Sequence, residues 1–274
     1  MLPPFSIVIP AFNEETRIAH TLRLTLDYLR NVSPYGELIV VNDGSTDATS
    51  AIARDVLLNA KIATRLLENF PNRGKGAAVR SGLLAAQRPI ALFSDADLST
   101  PLEETPKLIE PIADGNIDIA VGSRALDRSL IGQHQPWRRE QAGRIFNLLV
   151  RLVTGLSFWD TQCGFKAFRI DVCRPILKAA RLDGFAFDVE LLYLAQSAGL
   201  RIYEIPVRWN HAEGSKVRFL QDSFRMLWEI IVLRMQVGAS DLNRTHPTVI
   251  TCVAGGSVEP PPAIQTKRRR IRRR

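Results

Sequence analysis

Four short, mostly apolar runs, each ending in a polar cluster, do most to limit how this chain can fold. Phe5-Ser6-Ile7-Val8-Ile9 stops at Pro10, ahead of Asn13-Glu14-Glu15. Leu38-Ile39-Val40-Val41 runs into Asn42-Asp43-Gly44-Ser45. Ile90-Ala91-Leu92-Phe93 leads to Asp95-Ala96-Asp97, and Ile117-Asp118-Ile119-Ala120-Val121 ends at Gly122-Ser123-Arg124. A weaker strand falls near 62–67. Runs this short and this apolar suit strands buried on both faces. Between them the period becomes helical. Asn13-Glu14-Glu15 opens a helix with Ile18, Leu22, Thr25, Leu26 and Leu29 on one face. A second helix is expected from about Thr46 to Leu57, and Gly74-Lys75-Gly76 introduces a third through Ala86. This alternation predicts an α/β fold: a mainly parallel sheet with helices on both faces. Ligands of such sheets lie beyond the carboxyl ends of the strands, where all four polar clusters fall.

The chain has 274 residues, 46% of them hydrophobic, enough for one sizeable core. Its net charge of +8 is concentrated in one place. The run KRRRIRRR at 267–274 holds seven basic groups, leaving 29 Lys and Arg against 28 Asp and Glu elsewhere. A near-neutral body without a stacking or recognition module argues against a nucleic-acid-binding protein. The run itself suits anionic lipid or plain solvation. Pattern fades from about Gly238, so a domain over 1–237 and a disordered basic tail over 238–274 are expected. Cys163, Cys173 and Cys252 form no CxxC pair, and the four histidines are scattered, so no zinc site is expected and a reducing compartment fits. Cys163 reads as a small buried residue. The run from Phe5 to Pro10 is too short for a signal peptide and has no basic flank. No apolar stretch reaches the ~18 residues of a transmembrane helix.

Two segments of the second half read as amphipathic helices. Over 136–156, Glu140, Arg144, Asn147, Arg151 and Thr154 form a polar stripe opposite Ala142, Ile145, Phe146, Leu149, Leu152, Val153 and Leu156. Over 217–235, Arg218, Gln221, Asp222, Arg225 and Glu229 oppose Leu220, Phe224, Leu227, Trp228, Ile231 and Met235. Such helices either pack on a core or lie at a membrane interface. The width of their apolar faces and the nearby Trp137, Trp159 and Trp228 favour the interface.

The acidic pair Asp95 and Asp97 suits a hard divalent cation, Mg2+ or Mn2+, shared with a diphosphate. Asp97 is expected as the direct ligand, with Asp95 nearer the nucleotide or a bound water. The alternative is a pair that caps a helix starting at Ser99-Thr100-Pro101. Asp43 either accepts hydrogen bonds from a base or ribose, or caps the next helix. Glu14 is an early-turn acid favoured by the helix dipole. Arg73-Gly74-Lys75-Gly76 lacks P-loop spacing, yet a cationic turn at a helix N-terminus suits an anion; otherwise it is a plain glycine turn. Asp188 and Glu190 form a second acidic pair, either a general base for a hydroxyl acceptor or helix-start acids.

The order IPAFNEE, VVNDGSTD, NRGKGAAVRSGL, SDADLSTP, VGSR, DTQCGFKAF, FDVELL and EGSK resembles glycosyltransferase family 2 over roughly 5–235. Within it the likeness is to polyprenyl-phosphate sugar synthases, the dolichyl-phosphate beta-glucosyltransferase branch ahead of the mannosyl one. DTQCGFK points to the glucosyl side. The resemblance implies a GT-A fold and inverting, metal-dependent transfer from a nucleotide sugar, UDP-glucose first, to a polyprenyl or dolichyl phosphate. A saccharide hydroxyl or GDP-mannose is the runner-up substrate. By motif match, Pro10, Phe12 and Glu14 border the nucleotide, and Asp43 binds the base. Asp95, Ala96 and Asp97 hold the metal diphosphate, Arg124 sits near the reacting phosphates, and Lys216 meets the lipid phosphate. With such an acceptor, Asp188 and Glu190 position the sugar or a basic side chain. Mannosyl relatives carry a glutamine metal ligand where this chain has Ser99. Membrane attachment is expected to be peripheral, on the cytoplasmic face.

Overall fold

A computed structural model describes residues 1–133, 136–211, 219–238 and 250–251. Strands β1 (Phe5–Ala11), β2 (Glu37–Asp43), β3 (Ala63–Asn69) and β4 (Ile90–Ser94) alternate with helices α1 (Ile18–Val32), α2 (Thr49–Leu58) and α3 (Lys75–Ala85). β1 pairs in parallel with β2 and β4, and β2 with β3. The side chains divide as a strand's two-residue period requires. Val8, Ile39 and Phe93 enter one core, while Ile7, Leu38 and Leu92 enter another on the opposite face. Helix α3 lies against β1 through Gly82, where an added Cβ would come 2.3 Å from Val8 Cγ1.

The second half adds α4 (Thr105–Ala113), β5 (Ile119–Ser123), β6 (Ile131–Gln133), α5 (Trp137–Thr154), β7 (Phe165–Arg169), α6 (Ile170–Ala179) and α7 (Phe187–Ser197). It closes with β8 (Ile202–Pro206), β9 (Trp209–Asn210), α8 (Phe219–Gly238) and β10 (Ile250–Thr251). The sheet order is β10-β8-β5-β7-β4-β1-β2-β3, with β6 and β9 as a separate ribbon. β7 runs antiparallel to both neighbours. It brings the loop before it to the end of the sheet where the loops after β4 and β5 emerge.

The α/β reading, with a mainly parallel sheet covered on both faces, is what the structure shows. Several details differ. Helix α1 starts at Ile18 rather than Asn13, because Asn13, Glu14 and Glu15 bond across to the loop after β2. Helix α2 starts at Thr49 rather than Thr46 for the same reason. Strand β8 ends at Pro206, and the short β9 follows at Trp209–Asn210. Strand β7 was not expected; Lys166 interrupts its apolar run, yet is only 1% exposed. Strand β10 falls in the segment read as patternless tail, and two residues carry no period to read. Lys216, Cys252 and KRRRIRRR lie outside the described residues.

Only part of the apolar face read for each amphipathic helix packs on the core. In α5, Phe146 and Val150 are buried, while Ile145, Leu149 and Leu152 are exposed, Leu152 at 73%. In α8, Met226, Ile230 and Leu233 are buried, while Phe224, Trp228 and Met235 are exposed, Trp228 at 66%. No helix among the described residues is long and apolar enough to cross a membrane.

Candidate active site

The turn after β4 is built to present two carboxylates. Leu98 takes a left-handed conformation (φ 49°), and its N–H donates to Asp95 C=O at 3.1 Å. A non-glycine residue held there is strained, which the surrounding structure must impose. Thr21 of α1 donates its hydroxyl to Ala96 C=O at 2.6 Å, which pins the middle of the turn. Asp97 is exposed, and its Oδ1 accepts from Ser99 N–H at 2.9 Å. Asp95 pairs with Lys75, 2.6 Å away, and its carboxylate lies over Gly164. A Cβ on Gly164 would come 2.0 Å from Asp95 Oδ2, so any larger residue here would push the carboxylate out of its place. Neither aspartate caps a helix: the next helical turn begins at Leu102 and α4 at Thr105.

Beneath this turn lies a buried ion pair. Lys166 Nζ is 2.5 Å from Asp188 Oδ1, donates to Cys163 C=O at 2.6 Å, and sits 5.4 Å from the centre of the Phe93 ring. A buried pair needs further hydrogen bonds to offset its desolvation, and the Cys163 carbonyl supplies one. Burial raises the pKa of Asp188, and the charges of Lys166 and Lys75 oppose that rise. Glu190 points elsewhere. It accepts the N–H groups of Arg181 and Leu182 at 2.9 and 2.8 Å and fixes the loop before α7. The second acidic pair is thus split between two jobs. Burial pushes the Cys163 thiol up to about 12, which suits a packed residue rather than a nucleophile.

Arg124, at the end of β5, is held by Asp160 through a two-pronged bond of 2.7 and 2.8 Å. Asp160 also accepts the Arg124 backbone N–H at 3.0 Å. Burial would raise the pKa of Asp160, but the Arg124 charge prevails and holds it below the usual range. The loop bearing Asp160 is gripped from two sides. Glu204 of β8, 0% exposed, accepts the N–H groups of Trp159 and Asp160 at 2.8 and 2.7 Å. Asn147 of α5 donates to the carbonyls of Phe158 and Trp159 and accepts from Thr161.

The loops after β1 and β2 stitch to each other. Asn13 N–H donates to Ser45 Oγ at 2.9 Å, Thr46 N–H donates to Asn13 Oδ1 at 2.8 Å, and Glu14 N–H donates to Thr49 Oγ1 at 2.7 Å. Glu14 also pairs with Arg17 at 2.9 Å. Asp43, 2% exposed, spends its carboxylate inside the protein. It accepts from Asn69 and Asn72 side chains at 2.8 and 2.9 Å and from Gly74 N–H at 2.7 Å. It does not cap α2. The N–H groups of Gly76 and Ala77 go to Asp183 C=O, so the glycine turn offers Lys75 to a ligand rather than a ring of free amides.

A cleft of about 670 Å³ joins these parts. Lys75, Asp95, Asp97, Ser99, Arg124 and Asp188 line it together with the α5 polar stripe of Glu140, Arg144, Asn147 and Arg151. Arg128 adds a further cation, and Arg151 lies 4.3 Å from the centre of the Trp159 ring. Ala96 is buried behind its neighbours. Pro10, Phe12, Glu14 and Asp43 lie at the ends of β1 and β2 and do not line this cleft, nor does Glu190. Asp160, Lys166 and Glu204 were not singled out from the sequence, and Asn147 was read only as part of a polar helix stripe. The first two belong to DTQCGFK, whose density of polar residues was the available signal.

The donors fit a hard cation. Asp97 is an exposed carboxylate on the cleft, with Asp95 behind it, and no group of three or more His, Cys, Asp or Glu suited to a metal occurs among the described residues. Two carboxylates suit an ion that keeps waters and takes further oxygens from a phosphate.

The Glycosyl transferase family 2 profile matches residues 6–177. A dolichyl-phosphate beta-glucosyltransferase of Drosophila melanogaster is 39% identical over 224 residues, 77% of this chain and 68% of the relative. The Homo sapiens protein of that name is 34% identical over 255 residues, 88% of this chain and 78% of the relative. Among solved structures, glucosyl-3-phosphoglycerate synthase from Mycobacterium tuberculosis, in complex with Mn2+, UDP and glucosyl-3-phosphoglycerate, matches with a TM-score of 0.62. At 21% identity, over 85% of this chain and 79% of that one, it shares the GT-A fold.

Proposed function

The chain belongs to glycosyl transferase family 2, and from that premise we propose that it moves glucose from UDP-glucose to a polyprenyl monophosphate of the dolichyl type. The observation that carries this reading is the composition of one cleft. Its floor holds the acidic turn and Lys75, which suit a diphosphate with its cation. Its α5 wall carries Arg144 and Arg151, while Ile145, Leu149 and Leu152 of the same helix are exposed. A phosphate on a long apolar chain needs both surfaces. The names of the similar proteins point to the same reaction.

The transfer is a single displacement with inversion. An acceptor phosphate oxygen forms a bond to the anomeric carbon as the bond from that carbon to the donor diphosphate breaks. Products are the polyprenyl phosphate sugar and the nucleoside diphosphate. A phosphate monoester has a second pKa of about 6 and is largely a dianion near neutrality, so it needs no strong base. Asp188 fits that scheme, because Lys166 already occupies one of its oxygens. The obstacle is the approach of two anions. Arg124, oriented by Asp160, offsets the acceptor charge. Lys216 is assigned the same task. A Mg2+ or Mn2+ held by Asp97, with Asp95, would neutralise the departing diphosphate. Pro10, Phe12 and Glu14 border the nucleotide, while Asp43 shapes the turn that carries Lys75.

Membrane contact is peripheral, on the cytoplasmic face. The exposed apolar residues of α5 and α8 enter the interface, with the basic run at 267–274 on anionic headgroups. The test is incubation of the full chain with labelled UDP-glucose, polyprenyl phosphate and Mn2+. Label should enter the lipid phase. Label that stays wholly out of it, while reaching a saccharide or protein, overturns the acceptor assignment.

A further inference from the structure

Lys75 stands where the charge of the acidic turn is decided. Its ammonium lies 2.6 Å from Asp95 Oδ1 on the cleft floor. Asp188, on the same floor, is matched by Lys166. Asp95, Asp97 and Asp188 thus face two ammonium groups, so a free divalent cation meets a single net negative charge. That is thin attraction for a strongly hydrated ion.

We propose that Lys75 is a specificity-determining residue that makes the acidic turn accept a cation only together with a nucleoside diphosphate. It rests on the metal–diphosphate part of the function proposed above and not on the identity of the acceptor. In the ligand-free protein Lys75 occupies Asp95 as an internal counter-cation. An incoming diphosphate offers Lys75 a second anion and adds the negative charge that the cation requires. Asp95 is then released toward the metal. The geometry supports such an exchange: Lys75 is the first residue of α3 and about one-fifth exposed, and Gly164 leaves room for the Asp95 carboxylate.

The experiment measures Mn2+ binding to the full chain by the loss of the free-ion electron paramagnetic resonance signal, with and without UDP. Wild type should bind Mn2+ weakly alone and at least about tenfold more tightly with UDP, a gain of about 1.4 kcal/mol. Lys75→Met should bind Mn2+ alone at least about tenfold more tightly than wild type, and UDP should add little. Lys75→Arg, which keeps the cation, should behave as wild type, and circular dichroism checks that both variants fold. Unchanged or weaker Mn2+ binding by Lys75→Met, while wild type still responds to UDP, overturns the role of Lys75 alone. If UDP produces no Mn2+ binding in any form, the metal–diphosphate reading falls with it.

Discussion

The two halves of the cleft are built in opposite ways. On the side of β1 to β4 nearly every polar group is answered by another protein group. The loops after β1 and β2 bond to each other, and the Asp43 carboxylate is fully engaged. On the side of α5 and α8, arginines line the cleft and large apolar side chains face outward. In the first half, the loops after β1 and β2 are held in shape by the protein's own hydrogen bonds. In the function proposed above, the second half meets an acceptor that is both anionic and apolar. Under the proposed function, donor recognition would rest mainly on the preformed loops, and acceptor recognition on complementarity to a phase boundary.

That contrast can be broken, starting where the largest effect is expected. Asp97→Ala should lower transfer about a thousandfold, the scale of losing a metal's charge stabilisation. Its melting temperature should not move, because Asp97 is exposed. Near-normal turnover with metal present would sink the mechanism. Asp160→Asn frees Arg124 from its fixed orientation. It should lower kcat about a hundredfold and leave UDP binding intact, since the loops after β1 and β2 are untouched. An equal loss in UDP affinity would show that the two halves are not independent.

A smaller effect is expected from the outward surface. Leu152→Glu combined with Trp228→Glu should weaken sedimentation with anionic vesicles by about tenfold or more, given the apolar area each residue would otherwise bury. Turnover of a short-chain, water-soluble acceptor phosphate should change little. Loss of activity on both acceptors would mean that the exposed face serves the fold rather than the lipid. The smallest effect concerns acid stability, away from the cleft. Burial would raise the Asp118 pKa, but hydrogen bonds from Arg201 and the charge of Arg169 lower it in the folded state. Its contribution is therefore complete above the unfolded value of about 3.9 and is lost as pH falls through the folded one. Asp118→Asn should unfold at lower urea at pH 7 and show a shallower decline in stability below pH 4. A decline as steep as wild type would remove Asp118 from the acid response.

The same contrast governs what could be read from the sequence. Strands β1, β2, β4 and β5 are buried on both faces, and their apolar runs announce them. The acidic turn and Arg124 sit at the ends of those runs, so they could be found too. Strand β7 was hidden because Lys166 breaks its run, and that lysine is paid for by Asp188, 22 positions away. Asp160 and Glu204 act across 36 and 44 positions, and no local period encodes such partners. The faces of α5 and α8 were visible as patterns. Their orientation was not, because a helical period shows that two faces differ without showing which one the core takes.

Helix α5 carries a consequence for how this chain can change length. One of its faces presents Arg144, Asn147 and Arg151 to the cleft, and another exposes Ile145, Leu149 and Leu152. Each residue advances a helix by about 100°. One codon inserted ahead of Arg144 would swing every later side chain by that angle. It would carry the arginines out of the cleft, the leucines into it, and Asn147 off the loop that holds Arg124. The chain can lengthen in its surface turns, but inside this helix its reading is as phase-locked as a gear.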